Sequence, residues 1–152
     1  MSRTAWARAN RRTDTKPELA LRSELHRRGF RFRKDLRLDL GTINPRPDIV
    51  FTRAKVAVFV DGCFWHCCPD HGRPPTQNTG YWGPKLARNV ERDRLYDSAL
   101  REAGWSLVRV WEHVPVTEAA DVVERVCSAS RLTYPMSAGR RPAGEHRPHR
   151  HP

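Results

Sequence analysis

The chain has 152 residues, a length that suits one domain, and its 38% hydrophobic content with five Trp and five Phe is enough for a modest core. Its 28 Lys and Arg against 17 Asp and Glu give a formal net charge of +11, which favours a polyanion, nucleic acid first, as partner over a merely basic soluble protein. No stretch approaches the roughly 18 apolar residues of a membrane span, and "MSRTAWARANRR" lacks the apolar core of a secretory signal, so a cytoplasmic protein with no membrane partner is expected.

Residues 1–13 carry four Arg and no acid, and read as a basic arm. "TKPE" (15–18) fits a capping box in which Thr15 accepts from a main-chain amide and Glu18 reaches back; Gly29 then ends a helix whose Leu21 and Leu25 share a face. "FRFR" reads as a short strand and "GTINPRP" as loop. "DIVF" and "KVAVFVD" read as two adjacent strands, the second central because it is nearly all apolar. Asp48 and Asp61 therefore fall at the start and end of neighbouring strands. Residues 62–80 lack periodicity and read as a long loop that needs something other than a hydrophobic core to order it. A helix is expected from Pro84 to Ala103, with Leu86, Val90, Leu95 and Leu100 recurring and Gly104 as its stop. "WSLVRVW" (105–111) reads as a strand, and "TEAADVVERVC" as a last helix with Thr117 as N-cap. The domain is placed at 14–132, and the Pro-, Arg- and His-rich stretch 133–152 reads as a disordered basic tail. The element order describes a small α/β layer structure.

In a reducing compartment, three cysteines within six residues and interleaved with histidine argue for metal ligands over disulfides. Cys63, Cys68 and His71 have zinc-like spacing, and the strand ending in "VRVWEH" would deliver His113 to the same rim of the sheet as a fourth ligand. Spacing alone leaves Cys67 and Cys68 interchangeable, and Cys127 reads as a core thiol. Asp48 and Asp61 at strand ends, with His66 nearby, suit a magnesium nuclease: a hard cation on carboxylates polarises the phosphoryl group and a histidine takes the water's proton.

"DTKPE", "RPDIVF", "VAVFVDGCFWH", "NVERDR", "AGW" and "RVWEH", in this order over about residues 8–131, resemble the very short patch repair (Vsr) family of DNA mismatch endonucleases. The resemblance implies an α/β, restriction-endonuclease-like (PD-(D/E)xK-type) core, a mixed central sheet flanked by helices with a structural zinc site. It implies a strand-specific nick 5′ of the T in T:G mismatches that arise from 5-methylcytosine deamination, leaving a 5′-phosphate. Asp48 and the main-chain carbonyl of Val60 match ligands of a catalytic Mg2+, and His66 matches the general base. Glu18 matches an acid supporting the hydrated metal cluster; Asp61 either helps organise that cluster or binds the metal directly. Cys63 and His113 match ligand positions of a structural Zn2+, with Cys68 and His71 completing the set. Phe64, Trp65 and Trp82 match an aromatic wedge entering the base stack, against core packing as the competing reading. Lys85 and Asn89 reach bases or phosphates, or else lie on a solvated helix face. Asp93 is a surface ion-pair partner or an orienting acid. Departures are the arm "AWARANRRT", where Trp6 stands near the family's usual Met, and the vicinal Cys67 and Cys68. Expected partners are double-stranded DNA with a T:G mismatch and a MutL-type repair protein, for a monomeric bacterial protein at the nucleoid. The rival readings are a same-fold nuclease with another DNA target, such as a defence nuclease, and a non-catalytic zinc-stabilised DNA-binding module.

Overall fold

A computed structural model describes residues 13–72 and 76–133. The arm before Thr13, Trp6 within it and the tail after Thr133 lie outside the described residues.

Helix α1 (Lys16–Arg27) is followed by strands β1 (Arg33–Lys34), β2 (Ile49–Phe51) and β3 (Val56–Asp61), helix α2 (Thr79–Glu102), strand β4 (Ser106–Trp111) and helix α3 (Val116–Thr133). The sheet runs β1-β2-β3-β4; the first two pairings are antiparallel and β3 pairs with β4 in parallel. The near-continuous apolar run of β3 thus occupies an inner position, as strands covered on both faces require. Alternation sends Val56 and Val58 to one face, against Leu21, Leu25, Ala120 and Val123 of α1 and α3, and sends Ala57 and Phe59 to the other, with Leu38 and Leu100. Each fully buried Val or Leu here contributes about 1.5–3 kcal/mol. This mixed sheet with helices on both faces fits an endonuclease-like fold. Among the described residues, no helix is long and apolar enough to cross a membrane.

Several boundaries differ from the sequence reading. Thr15 does not cap α1 with its side chain; its hydroxyl lies 3.0 Å from Glu18 Oε1, and Glu18 Oε2 accepts from the Asp14 amide at 2.9 Å. The box closes one residue early because Glu18 is buried and draws its own donors. "FRFR" is not a strand of that span: only Arg33 and Lys34 pair with β2, which ends in a turn after Phe51 and offers Phe30 and Phe32 nothing to pair with. Their rings instead pack edge-on against Phe51, centroids 5.9 and 5.8 Å away. Helix α2 starts at Thr79, five residues before Pro84, because the Asn78 carbonyl takes the amides of Tyr81 and Trp82 at 2.9 and 3.1 Å. Pro84 removes only its own amide from that helix, the bond that would have gone to the Gly80 carbonyl. Thr117 is not an N-cap; it lies inside the first turn of α3, which opens at Val116.

Candidate functional site

Asp48 immediately precedes β2 and its amide donates to the Val58 carbonyl at 3.0 Å, continuing the β2–β3 ladder to the sheet's edge. Its Oδ2 then accepts from the Val60 amide at 2.7 Å. Amide and carbonyl of one strand residue point the same way, so the Val60 carbonyl opens on the Asp48 side, past the last paired residue of β2. Burial, opposed by the Val60 bond but reinforced by the negative charges of Glu18 and Asp61, pushes the Asp48 carboxyl up to about 7. Glu18, from α1, is fixed by the Asp14 amide and by Thr15, with Arg22 3.5 Å away.

Asp61 ends β3 and gives both oxygens to Arg109 Nη1, at 2.9 and 3.0 Å. Burial outweighs the pull of Arg109 and His66 and leaves its carboxyl above the usual carboxylate range. Arg109 comes from β4, directly across from Phe59, whose ring it covers at 4.3 Å. Its Nε donates to Asp97 at 2.9 Å, and its Nη2 approaches Asp93 at 3.7 Å.

His66 Nδ1 lies 2.5 Å from Asp93 Oδ2 and 3.9 Å from Asp61. Burial opposes charging of the imidazole, but the Asp93 hydrogen bond and the two carboxylates outweigh it, so its pKa is raised; that of Asp93 is lowered, since the same contact overcomes its own burial. Asp93 is therefore held between His66 and Arg109 and half-buried, not free on the helix surface.

Cys63, Cys68, His71 and His113 bring their ligand atoms within 4.8 Å of one another. Among the described residues no other group of three or more His, Cys, Asp or Glu gathers this tightly, so the acids around Asp48 do not form such a cluster on their own. Cys63 Sγ and Cys68 Sγ lie 3.2 and 3.7 Å from His113 Nδ1. The set of two buried thiols and two imidazoles fits a tetrahedral borderline-soft metal. Cys67 is exposed, in the left-handed region (φ 54°) and not among this set, while Cys68 is buried and belongs to it. Cys127 is buried in the core of α3, as read from the sequence. Gly72 is required by close approach: a Cβ there would come within 2.5 Å of the Cys68 carbonyl oxygen.

Phe64, Trp65 and Trp82 form an edge-to-face trio with centroids 5.1–5.7 Å apart, half-buried and outside both core clusters. Lys85 Nζ lies 5.4 Å from the rings of Trp65 and Trp82. Asn89 donates to the Trp65 carbonyl at 3.3 Å, so it fixes the aromatic turn from α2. Tyr81, 61% exposed and 5.1 Å from Trp82, extends the cluster and was not found from sequence. Arg109 was also missed, although a cation on the same face of its strand as Leu107, which packs against the core, was a signal that carboxylates must meet it.

Arg109→Met is expected to cost about 3–5 kcal/mol, because it leaves Asp61, Asp93 and Asp97 without their shared cation, and Arg109→Lys should recover only part. Urea unfolding checks this; a Met variant as stable as the parent would refute it.

A family model described as DNA mismatch endonuclease Vsr matches residues 1–70. The chain is 60% identical over 116 residues to the Type II nicking enzyme V.NaeI of Lentzea aerocolonigenes, covering 76% of this chain and 70% of that protein. It is 43% identical over 107 residues to the Type II nicking enzyme V.XorIIP of Xanthomonas oryzae pv. oryzae, covering 67% and 73%. It is 36% identical over 115 residues to the DNA mismatch endonuclease Vsr of Escherichia coli K12, covering 73% and 69%. An edge of acids beside a His–Asp pair, on a mixed α/β sheet with such relatives, defines an endodeoxyribonuclease. The chain belongs to the Vsr family of DNA mismatch endonucleases.

Proposed function

We propose that this endonuclease nicks duplex DNA on the 5′ side of the T in a T:G mismatch, with Mg2+ at Asp48 and the Val60 carbonyl and a structural Zn2+ at Cys63, Cys68, His71 and His113. The observation that carries the reading is a single turn, Cys63–Cys68, in which metal ligands, the Phe64–Trp65 pair and His66 follow one another within six residues. It couples a wedge to a base, so the bond attacked is set by where the rings enter the stack.

When bound, magnesium supplies charge to the phosphoryl oxygens and lowers the pKa of the attacking water. His66 takes the water's proton at Nε2, since Nδ1 is committed to Asp93, and Asp93 stabilises the imidazolium that results. Asp61, both oxygens on Arg109, acts as an anchor for Arg109 and His66 and not as a metal ligand. Glu18 adds fixed negative charge beside Asp48. Phe64, Trp65 and Trp82 offer faces that replace base stacking, at about 1–3 kcal/mol per base, and a mispaired step is cheaper to open than a paired one. Lys85 beside those rings meets the phosphates of the opened step, while Asn89 serves by holding Trp65. Relatives named nicking enzymes support a cut in one strand, and the relative named a mismatch endonuclease supports the target.

The test uses end-labelled duplexes carrying T:G, T:A or C:G at one position in varied flanks, with magnesium. A nick confined to the T strand of the T:G duplex is expected. Trp65→Ala should reduce the preference for T:G by about tenfold or more, the loss of one stacking contact. Cleavage of every duplex would replace the mismatch reading with that of a same-fold nuclease for another target, and binding without cutting under several metals would remove the catalytic reading.

A further inference from the structure

Away from the catalytic edge, the turn after β2, the segment before β1 and the end of α3 enclose a groove of about 650 Å³. Arg31, Arg33, Arg53 and Arg131 line it, with Phe30 and Phe51 at its floor and no acid among its lining residues. All four guanidiniums are exposed, and among the described residues none has an ion-pair partner; Arg31 touches only the Phe30 carbonyl, at 3.3 Å. Arg22, Arg28 and Arg109, by contrast, are each paired with carboxylates. Four like charges gathered around a concavity repel one another, and the arrangement makes sense with an anion between them.

The groove lies away from the bond being cut. It sits at the Phe51–Val56 end of the sheet, whereas Asp48 and Val60 lie three and four residues further along β2 and β3, about 10 and 13 Å at ~3.3 Å per residue, and the two sites open at opposite ends of those strands. We infer that it is a second DNA site, which takes backbone phosphates of a duplex segment other than the one being nicked. Guanidinium forks match phosphate oxygens. A long polyanion is favoured over an acidic peptide because the surplus of positive charge is not confined to the four arginines: the sequence as a whole carries a formal net charge of +11. A chain holding two segments passes between them without release into solvent, which shortens the search for a rare site. The inference rests on the enzyme's class and not on the T:G target.

The experiment uses the full chain and 12-bp duplexes, one carrying the cleavable site, with native mass spectrometry to count duplexes per protein at low salt. One chain is expected to hold two duplexes. Arg31→Glu/Arg53→Glu should hold one, with the salt slope of second-duplex binding lowered by about two for two lost phosphate contacts, and should nick the short duplex at the parent rate. Arg101→Glu/Arg125→Glu, the same charge change on exposed positions of α2 and α3, should still hold two. A single duplex on the parent protein, two duplexes on the Arg31/Arg53 variant, equal loss in both variants, or capture of a poly-glutamate peptide in preference to the second duplex would each overturn the assignment.

Discussion

Replacing Asp48 with asparagine is expected to abolish nicking while making the metal-free protein more stable at pH 8. The first part follows from the metal. A carboxylate ligand lost from a phosphodiesterase removes several kcal/mol of transition-state charge stabilisation, so nicking should fall by about 10³-fold or more. The second part follows from the proton. The Asp48 carboxyl is pushed up to about 7 by burial and by Glu18 and Asp61, so between about pH 4 and 7 the folded chain binds a proton that the unfolded chain does not. The group's stabilising contribution is fully present below about pH 4 and is lost as pH rises through 7. Asparagine mimics the protonated form and still accepts from the Val60 amide, so the melting temperature of the variant should exceed the parent's at pH 8, with the gap shrinking as pH falls and closing only below about pH 4. Magnesium should narrow the gap at pH 8, because it stabilises only the chain that has the carboxylate. Binding of magnesium to the parent displaces a proton below pH 7, so nicking at low metal should rise with pH across that value. A variant that nicks at the parent rate would sink the assignment of Asp48, whatever its stability.

Much of this site was legible because its parts are local. Cys63, Cys68 and His71 lie within nine residues, and the placement of His113 needed only that two adjacent strands end at one rim. The apolar run before Asp61 marked an inner strand for the same reason: a strand with both faces covered has no polar period. What escaped was set by packing between distant segments. Arg109 meets Asp61 from 48 residues away and Asp97 from 12, so spacing gave no warning of it, and choosing between the two readings of Asp93 needed its contact with His66 from 27 residues away. The start of α2 was misplaced because proline marks first turns well on average, yet Pro84 is tolerated further in, where its missing amide costs a single bond. Asn89, read as a candidate for DNA or for a solvated helix face, donates to the Trp65 carbonyl, a contact that only the fold makes.

Cys63→Ser, or removal of zinc by a chelator, is expected to stop nicking without touching any residue at the catalytic metal. In the turn region 62–72 only Cys63 and Cys68 are buried, so little apolar surface holds this segment in place. Its order comes from short main-chain bonds, His66 to Gly62, Cys68 to Cys63 and Gly72 to Cys68, and from the four ligands. Structural zinc in small domains is worth about 10–16 kcal/mol, far more than three such bonds. Without the metal, burial and the neighbouring Cys68 hold the Cys63 thiol up at about 11, so it stays protonated at neutral pH and contributes no charge to gather the histidines. Zinc uptake must expel that proton, and affinity should therefore fall as pH is lowered. Because Phe64, Trp65 and His66 hang on the same turn, its loosening removes the wedge and the base together while Asp48 and the sheet remain. The expected result is one zinc per parent chain by elemental analysis, less than one in Cys63→Ser, a melting temperature lowered by several degrees, and nicking lost in proportion to zinc. Cys67→Ser, on the exposed neighbour, should retain the zinc and the activity. A Cys63→Ser protein that keeps one zinc and the parent's thermal transition would show that the turn is ordered by something other than this metal.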